Sequence, residues 1–171
     1  MSRYKHCPMC SAALVVKNFE GKDKNACPSC DFVHWDNPLP VAAIVIPHGE
    51  DGIVLVKRGM PPKVGDWALA AGYVDNCEDP LAAAIREAKE ETGLDIKVKR
   101  LLGIFTPPGR NQFMLIYLAH PVSATPIPGS DALEAKVFKY DELPDNMAFP
   151  LHVQAIKKYG KNLKRNKARR R

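Results

Sequence analysis

The amino-acid sequence predicts an α+β protein in which a small cysteine-rich segment precedes one larger domain. Residues 38–159 alternate short apolar runs with turn signals, as expected for a series of strands. One segment among them carries the start and stop signals of a helix. Four of the five cysteines lie in residues 1–37, and 171 residues suffice for one domain with an appendage.

The apolar runs give the order of the elements in the larger domain. Val41–Pro47 is a predicted buried strand, and Gly52–Arg58 follows it after a turn, so we expect the two to pair as a hairpin. Trp67–Gly72 is a short third strand that leads into the helix. The remaining predictions are three strands and a closing helix: Ile96–Phe105, Phe113–His120, Ala135–Tyr140 and Pro150–Gly160.

The predicted interior helix begins at Pro80, with Asp79 as its N-cap, and stops at Gly93. Helical periodicity places four residues on one predicted apolar side: Leu81, Ile85, Ala88 and Thr92. The opposite side carries three carboxylates: Glu87, Glu90 and Glu91. The helix is therefore amphipathic, with negative charge concentrated on its polar face.

Three like charges on one helical face repel each other by roughly 0.2–0.5 kcal/mol per pair. A hard divalent cation such as Mg²⁺, which accepts oxygen ligands, would relieve this repulsion. Arg86 and Lys89 lie close by in sequence, so a solvated acidic face is the alternative interpretation of the helix taken alone.

The wider spacing resembles the signature box of the Nudix hydrolases. The matching positions are Gly72, Glu78, Arg86, Glu87, Glu90, Glu91, Gly93 and Leu94, with Ala88 as a mild departure from the family pattern. The resemblance covers about residues 38–159 and implies a Nudix α/β/α sandwich with a mixed sheet. The expected organisation is a segment at 1–37, a Nudix domain at 38–159 and a basic tail at 160–171.

The resemblance also implies roles for individual residues. Glu87, Glu90 and Glu91 would ligate Mg²⁺ or Mn²⁺, together with the backbone carbonyl near Gly72. Glu78 would bind through water or support the loop, and Arg86 would hold a glutamate in place. The general base would be Glu87, Glu91 or Glu134, the last standing just before the predicted late strand. The expected reaction is hydrolysis of a diphosphate bond, in which the metal offsets phosphoryl charge and a carboxylate takes a proton from water.

Cys7 and Cys10 form one C-x₂-C pair, and Cys27 and Cys30 form a second after sixteen residues. This spacing is typical of a closed four-cysteine zinc site, and two disulfides are the competing account. We predict a structural Zn²⁺, since a segment this short lacks a core of its own. A zinc ribbon before a Nudix box resembles the branch that hydrolyses NADH, FAD and ADP-ribose.

The substrate is expected to be a nucleoside diphosphate linked to another moiety. The NADH-cleaving group carries a Ser-Gln-Pro-Trp-Pro-Phe-Pro segment, whereas this chain has "IFTPPGRNQF" in that region. FAD or ADP-ribose, releasing AMP, is therefore favoured over NADH or NAD. Hydrolysis of a nucleotide cap on RNA is a further alternative.

The net charge of +6 comes from the end of the chain. Nine Lys or Arg follow from Lys157 onward, leaving 16 basic and 19 acidic residues before it. Such a run is either a solvated extension or a contact for RNA. A zinc-ribbon RNA-binding protein with an inert Nudix scaffold is thus the alternative of another class. We expect a cytoplasmic protein with no membrane span, and a homodimer is plausible from the family.

Overall fold

The computed structural model describes residues 4–129 and 131–168, with only the backbone described for 166–168. It divides the chain into two compact units, with the boundary between Pro38 and Leu39. The assignment of 1–37, 38–159 and 160–171 as separate functional regions stays a prediction.

The first unit contains a small antiparallel sheet. Its strands, in spatial order, are β1 (Val15–Phe19), β2 (Lys22–Ala26) and β3 (Val33–His34). Glu20 and Gly21 join β1 to β2 with φ values of 50° and 80°, which suit a two-residue hairpin turn. Among the described residues of this unit only three are buried: Cys7, Ala26 and Cys27. The unit therefore has very little hydrophobic core.

The second unit begins with strands and alternates them with two long helices. The elements in chain order are β4 (Leu39–Val45), β5 (Pro47–His48), β6 (Gly52–Arg58), β7 (Trp67–Ala68), β8 (Ala70–Tyr73), α1 (Pro80–Thr92), β9 (Val98–Phe105), β10 (Gln112–Ala119), β11 (Ala132–Lys139) and α2 (Pro150–Ala168). The strands form two sheets. One has the order β8-β4-β10-β9, and the other has the order β11-β6-β5 with β7 also paired to β6.

The first of these sheets is mixed, because β4 and β10 run parallel while the other neighbours are antiparallel. Ala42 of β4 belongs to a buried cluster with α1, and its neighbour Ala43 belongs to a cluster with α2. Successive strand residues point to opposite faces, so the two helices cover opposite sides of this sheet. The predicted α+β class with a mixed sheet is confirmed.

Three sequence predictions about local elements were wrong in detail. The hairpin with β6 is formed by β5, through His48 opposite Gly52, while β4 pairs with β8 and β10. The predicted third strand is divided at Leu69 into β7 and β8, which belong to different sheets. Helix α2 does not stop at Gly160 but continues to Ala168.

Helix α1 has the predicted ends. The Asp79 side chain accepts hydrogen bonds from the N–H groups of Leu81 and Ala82 at 2.8 and 3.3 Å, and Gly93 closes the helix with φ 68°. Its buried residues are Ala83, Ala84, Ala88 and Thr92. The predicted apolar side was partly wrong, since Leu81 is 41% exposed. Small side chains let α1 approach β4 and β8 closely, which decides what the carboxylates can touch.

His152 of α2 is a buried polar residue that the sequence analysis missed. It is 1% exposed, and its Nδ1 accepts the backbone N–H of Leu69 at 3.0 Å. That bond satisfies the backbone where the chain crosses from one sheet to the other. Burial, reinforced by the positive charge of Arg58, lowers the pKa of His152 to about 3. His152 is therefore neutral in the folded protein.

We expect the free energy of unfolding to fall by about 2–3 kcal/mol between pH 6.5 and 4.5 because of His152. In this window the unfolded chain takes up a proton near pH 6.5, whereas folded His152 does so only near pH 3. Urea unfolding of His152→Gln should show a weaker pH dependence than the wild type. His120→Gln, at an exposed histidine, is the control, and an unchanged pH dependence in His152→Gln would contradict the assignment.

Candidate active site and metal centre

Arg86 is the centre of a group of carboxylates on α1 and the preceding loop. Its guanidinium makes a two-point contact with Glu78, at 2.8 and 2.9 Å. It also donates to Glu87 at 2.7 Å, to Glu90 at 3.1 Å and to the Tyr73 carbonyl at 3.1 Å. Charge-assisted bonds of this kind are about twice as strong as neutral ones. Arg86 therefore fixes three carboxylates relative to the end of β8.

Glu78 belongs to the loop before α1 and completes the hold on Arg86. The Arg86 guanidinium, aided by the Asp75 N–H at 2.9 Å, lowers the pKa of Glu78 to about 2. The Glu78 carboxylate is therefore charged at neutral pH. In this arrangement Glu78 holds Arg86, and its predicted role, binding the metal through water or supporting the loop, stays a prediction.

Glu87 lies directly on the backbone of Gly72. A Cβ built on Gly72 would overlap the Glu87 carboxylate, so a larger residue would force that side chain to move. In the antiparallel pairing of β8 with β4, Gly72 lies opposite Ala42. The glycine of the signature box therefore lets the Glu87 carboxylate of α1 lie directly against β8.

Glu91 lies one helical turn further along α1 and is anchored to the same strand. Its carboxylate accepts the Ala71 N–H at 3.1 Å. Burial raises the pKa of Glu91 to about 7, against the effect of that N–H, and burial also raises the pKa of Glu87 against the effect of Arg86. A cation beside desolvated carboxylates would favour their charged forms. Gly72, Arg86, Glu87, Glu90 and Glu91 are called the acidic site below.

The far end of α1 is fixed by the segment that precedes β11. The Ile127 N–H donates to the Thr92 carbonyl at 2.8 Å, and the Gly129 N–H donates to the Glu91 carbonyl at 3.4 Å. A Cβ on Gly129 would collide with the Glu90 carbonyl. Carbonyls at a helix end need such donors. The backbone of the acidic site is thus held at both ends of α1.

Glu134 is in a different place. It lies on β11 opposite Lys57 of β6, and its carboxylate accepts a hydrogen bond from Lys57 Nζ at 2.7 Å. No hydrogen bond or ion pair among the described residues joins Glu134 to the acidic site. Arg58 and Asp131, which the sequence analysis missed, act electrostatically on Glu91 instead. Only the fold brings them near, because Arg58 ends β6 and Asp131 immediately precedes β11.

The cysteine cluster consists of Cys7, Cys10, Cys27 and Cys30. Their sulfur atoms all lie within 4.8 Å of one another, with close pairs at 3.4, 3.6 and 3.8 Å. A disulfide needs about 2.05 Å. A tetrahedral zinc with bonds of about 2.3 Å gives sulfur–sulfur distances of about 3.8 Å. The geometry therefore fits a metal ion better than two disulfides.

Backbone N–H groups support two of these sulfurs. Met9 donates to Cys7 Sγ at 3.4 Å, and Ser29 donates to Cys27 Sγ at 3.3 Å. Each donor lies two residues after its cysteine, and the two pairs therefore form equivalent turns. Such bonds stabilise thiolate charge, which a metal ligand needs.

The acidic site does not form a comparable group. Within the described part of the chain, the cysteine cluster is the sole set of three or more His, Cys, Asp or Glu side chains whose possible metal-ligand atoms all lie within 4.8 Å of one another. Arg86 holds Glu87 and Glu90, whereas the Ala71 N–H holds Glu91. The three glutamates share one region of α1, with their carboxylates held by different partners.

Comparison with known proteins establishes the family. The protein-family model described as NUDIX domain matches residues 38–159 of this chain. The chain belongs to the Nudix hydrolase family, and this confirms the resemblance in the sequence. None of the helices in the described ranges combines the length and apolar character needed to cross a bilayer.

Two curated relatives cover different parts of the chain. It is 37% identical over 114 residues to the ADP-ribose pyrophosphatase of Methanocaldococcus jannaschii, covering 64% of this chain and 66% of that protein. It is 26% identical over 160 residues to the NAD-capped RNA hydrolase NudC of Stutzerimonas stutzeri, covering 93% of this chain and 55% of that protein. The chain spans about half the length of the NAD-capped RNA hydrolases named NudC that it matches.

Solved structures show the same fold. The NUDIX hydrolase from Nitrosomonas europaea matches with a TM-score of 0.82 and 28% identity, covering 91% of this chain and 90% of that one. The MutT NUDIX hydrolase from Burkholderia pseudomallei matches with a TM-score of 0.64 and 26% identity, covering 71% of this chain and 98% of that one. The predicted Nudix fold is confirmed.

Proposed function

We propose that the protein hydrolyses the diphosphate bond of a nucleoside diphosphate linked to another moiety, with ADP-ribose and FAD as the favoured substrates and AMP as a product. The observation that carries this proposal is the set of carboxylates fixed by Arg86 and seated on Gly72. The relative named ADP-ribose pyrophosphatase supports the substrate class.

The acidic site fits a hard divalent cation. Its donors are carboxylate oxygens, which Mg²⁺ and Mn²⁺ prefer. Glu87 and Glu91 are partly buried, and the lack of a side chain on Gly72 leaves room for the Glu87 carboxylate. Glu87, Glu90, Glu91 and the Gly72 carbonyl would hold the ion. A bound ion supplies charge neutralisation on the diphosphate and acidifies water.

The protein's own groups then have separate tasks. Arg86 keeps Glu87 and Glu90 in position, and the Ala71 N–H orients Glu91. One carboxylate takes the proton from the attacking water, and Glu87, Glu91 and Glu134 are the candidates for this general base. Glu134 would first have to leave Lys57. Water attacks phosphorus directly, so that ADP-ribose gives AMP and ribose 5-phosphate.

The cysteine cluster would hold a structural Zn²⁺. Four thiolates close a tetrahedral shell and leave no position for a substrate. The ion would contribute stability that the few buried residues of the first unit cannot supply.

The test is turnover of a panel of compounds with and without Mg²⁺ or Mn²⁺: ADP-ribose, FAD, NADH, NAD, diadenosine polyphosphates and nucleoside triphosphates. We expect metal-dependent AMP release from ADP-ribose or FAD that Glu90→Gln abolishes. Preferred cleavage of NADH or NAD would overturn the substrate assignment. No turnover of any compound by a folded, zinc-loaded protein would overturn the proposal.

A second candidate is hydrolysis of a nucleotide cap on RNA. It is favoured by the relatives named NAD-capped RNA hydrolase, one of which aligns with 93% of this chain. It would use the same acidic site, with the basic residues after Gly160 as a contact for RNA. Cleavage of an NAD-capped transcript faster than free NAD would support this candidate. Equal rates would remove the reason for invoking RNA.

An RNA-binding protein with an inert Nudix scaffold is disfavoured, because the acidic site keeps a self-repelling set of carboxylates with Arg86 in place. Action in the cytoplasm and assembly as a homodimer stay predictions. Light scattering of the purified chain tests the second.

Gly72→Ala should lower kcat/KM about tenfold or more, because the new methyl group displaces the Glu87 carboxylate and small misplacements of catalytic groups are costly. Gly49→Ala is the matched control, since a Cβ there meets nothing within 4 Å although its φ is +60°. The control should lose about 1–2 kcal/mol of stability and keep its activity. Full activity in Gly72→Ala would show that Glu87 need not occupy this position.

A further inference from the structure

A cleft of about 540 Å³ lies between α2 and residues 140–147. One wall is a single face of α2 that carries Lys157, Lys161 and Lys164. Gly160 lies on the same face, and a Cβ there would come within 2.6 Å of the Tyr140 ring. The glycine lets the ring pack directly on the helix, which brings the opposite wall close. The cleft shares no residue with the acidic site.

The three lysines form a regular row of positive charge. With a rise of 1.5 Å per residue, Lys157 and Lys164 are separated by about 10 Å along the helix axis. Among the described residues, none of the three lysines takes part in an ion pair. Each strand of a duplex carries one phosphate per ~3.4 Å of axis, and the phosphates of an extended single strand lie further apart, so a row of about 10 Å spans about two or three phosphates.

The opposite wall has different chemistry. It contains Asp141 and Asp145 as well as Tyr140, whose ring centre lies 5.9 Å from Lys164 Nζ. Carboxylates repel a ligand made only of phosphate, but they accept hydrogen bonds from base amino groups and ribose hydroxyls. A flat anionic surface such as a lipid bilayer cannot enter a cleft. A chain with phosphates along one side and hydrogen-bond donors along the other matches both walls.

We infer that this cleft binds single-stranded nucleic acid, with its phosphates along Lys157, Lys161 and Lys164 and its bases or sugars toward Asp141 and Asp145. The site goes beyond the proposed hydrolysis, since it concerns binding at other residues. It extends the RNA contact proposed for the basic residues after Gly160, to which Lys161 and Lys164 belong, because it adds Lys157 and a second wall that faces α2.

The test is fluorescence anisotropy of labelled 12-nucleotide single strands of RNA and DNA with the full chain over a range of salt concentrations. Lys157→Gln/Lys161→Gln/Lys164→Gln should raise Kd about tenfold or more and reduce the salt slope by about 2, at ~0.7 per lost phosphate contact. Lys97→Gln/Lys99→Gln/Lys136→Gln removes three exposed charges elsewhere and should change both values much less. Gln keeps the helix propensity of Lys, and circular dichroism checks the fold.

Glu90→Gln should bind the strands as tightly as the wild type. ADP-ribose turnover is measured on the same preparations, so failure of the hydrolysis and failure of the cleft are read separately. Equal losses in the two triple variants would overturn the inference, since they would indicate general charge attraction. The inference would also be overturned if inorganic polyphosphate displaced the labelled strand as well as an unlabelled strand does. The same holds if phosphatidylserine vesicles bound through these lysines more tightly than the strands do. Comparing the Kd values for RNA and DNA shows whether the 2′-hydroxyl contributes to binding.

Discussion

Arg86→Gln should lower kcat for diphosphate hydrolysis about 100-fold or more while the protein stays folded. Arg86 donates to Glu78, Glu87 and Glu90 at 2.7–3.1 Å. Without it, three carboxylates repel one another and lose their fixed directions, and a displacement of about 1 Å in a catalytic group costs about 10²-fold. The measurement is steady-state turnover of ADP-ribose at saturating metal, with thermal unfolding of the same samples.

Lys89→Gln is the matched control, because it removes the same charge from the same helix. Lys89 pairs with exposed Asp95 at 2.9 Å and does not contact the acidic site carboxylates in the described hydrogen bonds and ion pairs. Its activity should stay within about twofold of the wild type, since exposed pairs contribute little. Comparable losses in both variants would mean that total charge matters and that the Arg86 network does not.

Cys10→Ser should abolish stoichiometric zinc binding and unfold the first unit. Only Cys7, Ala26 and Cys27 are buried among its described residues, so hydrophobic burial cannot replace the metal. Zinc binding contributes about 10–16 kcal/mol to the folding of small zinc domains. Zinc content by atomic absorption, and hydrogen exchange of β1 and β2, provide the measurements.

Cys77→Ser is the control for this experiment. Cys77 is exposed and lies outside the cysteine cluster, so its loss should leave one zinc per chain. A chelator should reproduce the effect of Cys10→Ser in the wild-type protein. Full zinc content in Cys10→Ser, or a chain without zinc whose first unit keeps its protection, would contradict a structural metal site.

The features that the sequence determined by itself are local ones. Asp79, Pro80 and Gly93 define the ends of α1 because capping depends on neighbouring backbone groups. The spacing of the four cysteines predicts their cluster because two tight turns each present two sulfurs. The signature box predicts the family because its spacing is fixed along one loop and one helix.

The tertiary structure decided which of these residues touch, and it overruled local signals in three places. Leu81 fits a predicted apolar face, but the structure leaves it exposed, and α1 buries Ala83, Ala84, Ala88 and Thr92, with Ile85 partly buried against the same cluster. Gly160 is a typical helix stop, yet α2 continues through it to Ala168, and the Tyr140 ring packs against the helix at this position.

Leu69 is the third case, because it lies within a predicted continuous strand that the structure divides into β7 and β8. The bond from its N–H to His152 joins residues 83 positions apart. The contacts of Gly72 with Glu87, of Ala71 with Glu91, and of Lys57 with Glu134 likewise depend on how strands and helices pack. A periodic pattern shows which side of an element is apolar. It does not show which element packs on that side or how close the two elements lie. The sequence therefore determined which side chains the acidic site contains, while close packing of α1 on β8 decided its geometry.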